Sequence, residues 1–261
     1  MKVKEHINIP ITDINNYFVV SDFDRTITSG TSLNSWCVLD ENESVCDEYK
    51  EEMEALQNYY HKIEIDPEVD PKVKYKEMND WWNKHLDLFI KYQFTEDLFH
   101  QTSSSKHVMD LRPGIENFLK YLYENNIPLL IISAGLTNVI KAFLEEHDIL
   151  YDNIYIISNK IYFENGIAKG ISHDIIHSMN KKDIVLSEKI NNVIKGRNNV
   201  ILFGDNLNDI NMIDKEKYEK VVSVGFVNEE NIKYTEEFSK IYDIILSVDE
   251  DFNTVLKNII I

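Results

Sequence analysis

The sequence predicts an α/β protein with a doubly wound parallel-sheet core, an inserted helical cap and a small β-hairpin. Three observations predict this fold class. Short apolar runs alternate with helical stretches along most of the 261 residues, residues 31–108 lack such runs, and Asn165-Gly166 divides a short segment of strand-forming residues. Nearly continuous apolar runs are typical of strands that are buried on both faces of a parallel sheet.

Six apolar runs are the predicted strands of that sheet. They are YFVVS (17–21), IPLLIIS (127–133), NIYIIS (153–158), NVILFG (199–204), KVVSVG (220–225) and YDIILS (242–247). Parallel strands need crossover connections, which are usually helices. Ile115, Phe118, Leu119 and Leu122 have the spacing of one helix face and are the clearest example of such a connection.

Residues 31–108 are predicted to form the helical cap. Two sets of residues there recur at helical spacing: Val45, Tyr49, Met53, Leu56 and Tyr60, then Met78, Trp81, His85, Leu88 and Tyr92. The segment leaves the core through TSGTS (28–32) and returns through DLRPG (110–114), which both have the composition of hinges. We expect a core of residues 1–30 and 109–261 and a cap over the carboxyl edge of its sheet.

The charge balance limits the partners. Asp and Glu number 45 against 27 Lys and Arg, a net charge of −18, which repels nucleic-acid phosphates and anionic membranes. We expect no nucleic-acid and no membrane partner, and a monomer that binds a small-molecule substrate. Cys37 and Cys46 suit a reducing compartment, and the first residues lack the apolar segment of a secretion signal, so a cytoplasmic location is predicted.

Four polar motifs follow predicted strands or lie in nearby loops. They are DFD (22–24), SAG (133–135), NKKD (180–183) and GDNLND (204–209). Ligand sites in open α/β sheets lie beyond the carboxyl ends of the strands. The motifs would therefore gather one set of polar side chains around a cavity: Asp22, Asp24, Ser133, Lys181 or Lys182, Asp205 and Asp209.

The acids of this set require a cation. Two carboxylates about 4 Å apart repel by roughly 4 kcal/mol at an effective dielectric constant of about 20, so converging acids would otherwise protonate or separate. Oxygen ligands suit Mg²⁺, which binds one or two carboxylates together with water and phosphate. The predicted cofactor is Mg²⁺, and the predicted substrate group is a phosphate that Ser133 and the lysine contact.

In order along the chain, DFDRT, SAG, the lysine of NKKD and GDNLND resemble the four motifs of the haloacid dehalogenase-like phosphatase superfamily. Further segments are similar to the cytosolic 5'-nucleotidase III family, also called pyrimidine 5'-nucleotidases: IEIDP (63–67), DWWNKH (80–85), FENGIAKG (163–170), IHSMNKKD (176–183) and YDIIL (242–246). The likeness extends from about residue 16 to the C-terminus. It implies a haloacid dehalogenase-like core and hydrolysis of nucleoside 5'-monophosphates, with phosphotransfer to nucleosides as a second activity.

The resemblance implies catalytic roles for four residues. Asp22 would attack phosphorus and form an aspartyl-phosphate. Asp24 would protonate the leaving 5'-oxygen and then activate water. Ser133 and Lys181 would bind the phosphate, and it is the family pattern that favours Lys181 over Lys182.

The resemblance also implies the Mg²⁺ ligands. The ion would bind Asp22, the backbone carbonyl of Asp24 and the carboxylate of Asp205. Asp209 would orient either the metal shell or the lysine. Ala134, which follows the phosphate-binding serine, is expected to contact the substrate as well.

In the cap, Glu64, Trp82 and His85 are the residues expected near the leaving group, and the resemblance assigns Glu64 to the base. Glu64 would accept a hydrogen bond from an amino group such as cytosine N4, and Trp82 rather than Trp81 would stack on the base, since adjacent helix positions are not expected to face the same side. His85 stands where some family members carry a serine that binds 7-methylguanosine monophosphate. CMP and UMP are the expected substrates, and 7-methyl-GMP is the alternative because Glu64 and an indole also attract a cationic base.

Two other functions agree with parts of the sequence. Another capped phosphatase of the superfamily, such as a phosphoserine phosphatase, would share the cap and a similar fourth motif, and a non-catalytic nucleotide-binding module would share the fold. The two acids of DFD favour an enzyme, since binding alone does not need two acids beside a phosphate. Five other histidines are expected to be structural or exposed: His61, His107, His147, His173 and His177.

Overall fold

The structure of the protein, a computed structural model, describes residues 13–103, 109–248 and 250–258. The strands in this part are β1 (Tyr17–Ser21), β2 (Leu129–Leu136), β3 (Ile154–Asn159), β4 (Ile161–Glu164), β5 (Ile167–Ile171), β6 (Asn199–Gly204), β7 (Lys220–Phe226) and β8 (Ile244–Leu246). Six of them form one parallel sheet in the order β3-β2-β1-β6-β7-β8, and β4 and β5 pair as an antiparallel hairpin. All six predicted strands and the predicted hairpin are confirmed.

Both faces of the sheet are covered, which explains the apolar runs. Along β1, Phe18 and Val20 belong to one buried apolar cluster, whereas Tyr17 and Val19 belong to another. Successive side chains of a strand point to opposite faces, so a strand that is buried on both sides must be apolar at almost every position. The predicted doubly wound α/β class is therefore confirmed.

The α-helices of the described residues are α1 (Asp47–Ile65), α2 (Pro71–Lys91), α3 (Glu96–Ser103), α4 (Ile115–Glu124), α5 (Thr137–Glu146), α6 (Glu188–Ile194), α7 (Thr235–Ile241) and α8 (Phe252–Asn258). None of them has the length and apolarity that crossing a bilayer requires. The two long helices, α1 and α2, lie in the chain between β1 and β2 and pack against each other. Their apolar faces join a cluster that continues to the sheet.

Local sequence signals fix the ends of two of these elements. Asp70 caps α2 by accepting hydrogen bonds from the backbone N–H groups of Lys72 and Val73 at 2.9 and 3.3 Å, with a proline at the first helical position. In the hairpin, Asn165 and Gly166 have φ angles of 52° and 76°, which the tight turn between two antiparallel strands requires.

The segment between β1 and α4 leaves and rejoins the core at one place. The backbone N–H of Ser29 donates to the carbonyl of Asp110 at 2.8 Å, and that of Arg112 donates to Ile27 at 3.0 Å. The buried guanidinium of Arg112 also donates to the carbonyl of Thr26 at 2.8 Å. This junction holds the loop that follows β1, and the division of the chain into core and cap domains stays a prediction.

Candidate active site

The two central strands of the sheet bring the first and last acidic motifs together. Ser21 of β1 lies opposite Phe203 of β6, and the backbone N–H of Asp22 donates to the carbonyl of Phe203 at 3.0 Å. Asp22 therefore leaves β1 beside the point where β6 leads into Asp205. Because both strands are parallel, their carboxyl ends lie at the same edge, where ligand sites of such sheets are found.

The choice between the two adjacent lysines has a clear geometric answer. Lys181 is 4% exposed, and its Nζ lies 2.5 Å from Asp22 Oδ1 and 2.7 Å from Asp209 Oδ1. Lys182 is exposed. Burial lowers the pKa of Lys181, but the carboxylates of Asp209 and Asp22 outweigh that effect and raise it, so the ammonium stays charged.

Asp209 supports the loop between β6 and the 3-10 helix Asp209–Met212. Its Oδ2 accepts hydrogen bonds from the backbone N–H groups of Asp205 and Asn206 at 3.1 and 3.0 Å, while its Oδ1 faces the lysine. Gly204 makes this close packing possible, because a Cβ at that position would lie 2.4 Å from the Cβ of Asp209. The glycine of GDNLND is thus required for steric reasons, because only a residue without a side chain leaves room for Asp209.

Three carboxylates form a group that fits a divalent cation. Asp22, Asp205 and Asp209 each offer an oxygen within 4.8 Å of the others. Burial raises the pKa of Asp22 to about 7, with Asp209 and Asp24 adding to the rise and Lys181 opposing it. Burial and the charge of Asp22 also raise the pKa of Asp205 well above its usual range. One ammonium does not balance three acids, and an all-oxygen donor set is the one that Mg²⁺ prefers.

Asp24 is held separately from this group. Its Oδ1 accepts a hydrogen bond from the backbone N–H of Ser35 at 2.8 Å, and its Oδ2 accepts one from the Ser35 hydroxyl at 2.9 Å. Burial raises the pKa of Asp24 to about 6, against the lowering effect of both hydrogen bonds. The two acids of DFD therefore have different surroundings, one beside an ammonium and the other beside a hydroxyl.

The SAG motif lies against the same carboxyl group. A Cβ on Gly135 would lie 2.1 Å from Ser35 Oγ and 2.9 Å from Asp24 Oδ2, so only glycine fits there. Ser133 is buried, and its Oγ accepts a hydrogen bond from the Gly135 N–H at 2.9 Å. The carbonyl of Ala134 accepts from the Trp36 indole N–H at 2.9 Å, which ties the motif to the inserted segment.

A cavity of about 420 Å³ connects these residues with the inserted helices. Its core wall includes seven of the residues discussed above: Asp22, Asp24, Ser133, Ala134, Lys181, Asp205 and Asp209. Its wall in the inserted segment includes Trp36, Glu64, Lys74 and Trp82. Pockets of a few hundred Å³ are the size that small-molecule ligands occupy.

Glu64 lies at the C-terminal end of α1 and lines this cavity, as expected. The position of that helix end is fixed by Lys74 of α2, a buried residue whose ammonium donates to the carbonyls of Glu64 and Asp66 at 3.0 and 2.6 Å. A cation there also matches the partial negative charge of a helix C-terminus.

Trp82 lines the cavity and Trp81 is not among the lining residues, but the surroundings of Trp82 differ from the expectation. The two indoles are stacked with ring centroids 4.6 Å apart, although adjacent helix positions were expected to diverge. Trp82 also packs against Trp36 at 4.8 Å and is only 4% exposed, so little of its ring face is open to a base. Its indole N–H has no hydrogen-bond partner among the described residues.

The position of His85 differs from the expectation that it contacts the substrate. It is fully buried among the rings of Trp36, Trp81 and Trp82, and it is not among the residues that line the cavity. Neither ring nitrogen has a partner in the described part of the chain, and burial lowers the pKa of His85 to about 3. The imidazole is therefore a neutral member of the aromatic cluster, because α2 turns this position towards the interior.

Four charged residues of the cavity wall were missed: Arg25, His61, Lys74 and Glu230. His61 was expected to have no role beyond structure, yet it lies 3.5 Å from carboxylate oxygens of both Glu64 and Glu230. The one sequence signal was the spacing of His61 and Glu64, three residues apart on α1, which places them on the same helix face. His107 lies outside the described residues.

The fold and the sequence are similar to those of known proteins. The solved structure of cytosolic 5'-nucleotidase IIIB bound to cytidine superimposes with a TM-score of 0.83 at 28% identity, covering 94% of this chain and 86% of that one. An apo phosphoserine phosphatase superimposes with a TM-score of 0.60 at 17% identity over 93% of this chain and 98% of its own, which shows a common fold only. The fold and the four motifs define a phosphatase of the haloacid dehalogenase-like class.

The sequence comparison narrows that class. The family model described as pyrimidine 5'-nucleotidase (UMPH-1) matches residues 22–260. The 7-methylguanosine phosphate-specific 5'-nucleotidase A of Xenopus laevis is 32% identical over 245 residues, which are 91% of this chain and 84% of the relative. This chain belongs to the pyrimidine 5'-nucleotidase family, whose members are phosphoric monoester hydrolases, and the predicted family is confirmed.

Proposed function

We propose that the protein hydrolyses nucleoside 5'-monophosphates to nucleoside and phosphate in a Mg²⁺-dependent reaction, with CMP and UMP as preferred substrates. One observation carries the proposal: the carboxylates of Asp22, Asp205 and Asp209 and the ammonium of Lys181 converge at the floor of a cavity that Glu64 of the inserted segment also lines. A phosphate at the floor and a base near Glu64 would fill the two ends of that cavity.

Asp22 is the proposed nucleophile. Lys181 holds one of its carboxylate oxygens at 2.5 Å, which fixes the direction of the side chain. A carboxylate oxygen forms a bond to phosphorus while the bond from phosphorus to the 5'-oxygen breaks, and water then hydrolyses the aspartyl-phosphate. Entry of a nucleoside hydroxyl instead of water at the second step would give the phosphotransfer activity.

Asp24 is the proposed acid and base. It would give a proton to the leaving 5'-oxygen and take one from the attacking water, a role that needs a fixed carboxyl group near both oxygens. The two hydrogen bonds from Ser35 and the close contact with Gly135 supply that fixed position. Ser133, buried beside them, would donate a hydrogen bond to the phosphate.

Mg²⁺ would be held by Asp22, Asp205 and the backbone carbonyl of Asp24, with Asp209 orienting Lys181 and the loop. When bound, the ion would neutralise negative charge on the phosphate and on the acids around it. The three carboxylates support this assignment, since no cation other than Lys181 forms an ion pair with Asp22 or Asp209 in the described residues.

The base preference rests on Glu64 and on the family. A carboxylate accepts a hydrogen bond from the amino group of cytosine, and the family model is described by its pyrimidine substrates. The alternative, 7-methyl-GMP, is supported by the name of the Xenopus laevis relative. With Trp82 packed between other rings, we expect its indole N–H and ring edge, rather than its face, to reach the base.

The decisive experiment is a phosphate-release assay with CMP, UMP, GMP, 7-methyl-GMP and phosphoserine, with Mg²⁺ and with excess chelator. We expect release from CMP and UMP that stops on chelation and resumes when Mg²⁺ is restored. Asp22→Asn should lower kcat by roughly 10⁴-fold or more, as expected for a lost nucleophile. Release from phosphoserine alone, or wild-type turnover by Asp22→Asn, would overturn the proposal.

A cytoplasmic location and a monomeric state complete the proposal. The location is supported by the structural relative, which is described as a cytosolic enzyme, and by two free cysteines. The monomer is a prediction that light scattering would test directly.

A further inference from the structure

Four charged side chains of alternating sign lie in a row along the cavity wall: Glu64, His61, Glu230 and Arg25. We call this row the charged strip. His61 Nδ1 lies 3.5 Å from Glu64 Oε2, His61 Nε2 lies 3.5 Å from Glu230 Oε2, and Arg25 forms an ion pair with Glu230 Oε1. Each ring nitrogen of His61 thus faces a different carboxylate.

The charged strip connects the helix proposed to bind the base with the loop that carries the proposed acid, Asp24. His61 and Glu64 belong to α1, whereas Glu230 belongs to the 3-10 helix Glu229–Tyr234 that follows β7. Arg25 stands in the loop after β1, directly after Asp24, and its backbone N–H donates to Thr28 Oγ1 at 2.7 Å. The side chain proposed to contact the base is therefore linked by charges to the loop of the acid.

The side chains of the strip are partly buried, and Glu230 is the most exposed of them. The exposed fractions of the side chains are 16% for Glu64, 19% for Arg25, 24% for His61 and 32% for Glu230. Fully exposed ion pairs contribute little to stability, but water and salt screen partly buried charges such as these less strongly. A charged imidazole between two carboxylates fixes both of them.

The electrostatics agree with this geometry. The carboxylates of Glu230 and Glu64 raise the pKa of His61 to about 9, against the opposing effect of burial. Burial would raise the pKa of Glu64, but His61 outweighs it and holds that pKa below its usual value. The other titratable or charged groups that face the two carboxylates are Lys74, His177, Arg25 and Asp205.

We propose that His61 is a positioning residue, which holds the Glu64 carboxylate towards the base and ties α1 to the loop that carries Asp24. This inference rests on the proposed function, because it assigns His61 a role through the base contact of Glu64. His61 does not take part in the chemistry at phosphorus. Its loss should therefore weaken nucleotide binding much more than it slows turnover.

The test compares His61→Gln with Lys62→Gln, which removes one positive charge from the neighbouring, exposed position of the same helix. For CMP at pH 7, we expect His61→Gln to raise KM roughly tenfold, the size of one lost contact to a charged group, with kcat changed much less. Lys62→Gln should leave both constants near those of the wild type. With p-nitrophenyl phosphate, which has no base, the loss in His61→Gln should be much smaller.

The pH profile and a charge-preserving variant separate this role from a purely structural one. The KM of the wild type for CMP should rise as the pH increases through about 9, where His61 loses its charge. His61→Gln should lack that rise, and His61→Arg should keep a low KM across the range, since a guanidinium pairs with carboxylates and does not titrate. CMP is suitable because its base does not titrate in this range.

The outcomes are distinct. If the wild type releases no phosphate from any nucleotide, the proposed function fails, whatever the variants do. If the wild type is active but His61→Gln has the KM of Lys62→Gln, or loses activity on CMP and p-nitrophenyl phosphate equally, the positioning role is wrong. Thermal unfolding of each variant shows whether the compared proteins are folded.

Discussion

The floor of the cavity and its wall in the inserted segment differ in the side chains that line them. At the floor, Asp22, Asp209 and Lys181 are buried charges in direct contact. In the wall, the rings of Trp36 and Trp82 pack together, and the charged strip lies in the same lining, with Glu64 and His61 near the end of α1. The buried charges of the floor suit a phosphate and a cation, whereas aromatic rings beside the Glu64 carboxylate suit a base.

This difference predicts which property a substitution in each region should change. Changes at the floor alter the balance of buried charges, which affects both stability and turnover. Changes in the wall alter packing or one hydrogen bond, which affects stability or substrate binding by smaller amounts. Four substitutions, taken from the largest expected effect to the smallest, test whether the two regions are separable in this way.

Lys181→Met should have the largest effect on stability. It leaves Asp22 and Asp209 buried without their ammonium, so we expect the free energy of unfolding to fall by about 3–5 kcal/mol. Lys182→Met is the matched control, because Lys182 is exposed, and it should change stability by about 0.5 kcal/mol or less. Mg²⁺ should restore part of the loss in Lys181→Met, since a cation that binds only the folded protein stabilises it. Equal denaturation curves for the two variants would contradict the ion-pair assignment.

Trp82→Phe tests the wall. It removes the indole N–H that has no partner among the described residues and keeps an aromatic ring, so we expect KM for CMP to rise by a factor of about 3 to 10. Trp81→Phe, the control, removes an N–H that also lacks a described partner but belongs to a residue outside the cavity lining. Initial-rate measurements on both variants decide the point, and an equal change in KM would show that Trp82 has no special contact with the base.

His85→Leu should stabilise the protein. Both nitrogens of this buried imidazole lack partners in the described residues, and an apolar side chain of similar size removes their desolvation cost. We expect the free energy of unfolding to rise by about 1 kcal/mol. His85→Asn, which keeps a polar group in a smaller side chain, should be destabilising instead. Chemical denaturation of both variants gives the sign, and a loss in His85→Leu would mean that the imidazole has a partner.

The smallest effect concerns the pH dependence of stability at His61. Because its folded pKa is raised to about 9, the stabilisation that it provides is fully present below the unfolded value of 6.5 and disappears as the pH rises through about 9. The difference in unfolding free energy between the wild type and His61→Gln should be below about 1 kcal/mol at pH 6 and should vanish by pH 10. A difference that grows with pH would show that His61 is not charged in the folded protein.

Much of the core was predictable because its signals are local. Each strand is a continuous apolar run. Parallel pairing then brings Asp22, which follows Ser21, and Asp205, which follows Gly204, to the carboxyl edge of the sheet. The likeness to the family pattern singled out Lys181, which geometry places against Asp22. Chain order and strand polarity are sufficient for this part.

The cap was less predictable because its contacts depend on tertiary packing. Helical spacing located α1 and α2, but it did not show that both indoles turn inwards together or that His85 lies among them. Nor could spacing along the chain bring Glu230 to His61, since they belong to elements that meet only in the folded protein. Side chains shared between distant segments leave no periodic pattern in a sequence.

The two hydrogen bonds from Ser35 to Asp24 have a consequence for engineering. Ser35 comes from the segment inserted between β1 and α4, so a core without that segment would lose the partner that orients Asp24, the proposed acid. A graft that exchanges the helices for others must bring a hydroxyl and a backbone N–H to the same place. The inserted segment thus supplies both the proposed base contacts and the serine that orients the proposed acid. A chimaera without an equivalent of Ser35 should bind its new substrate but turn it over slowly.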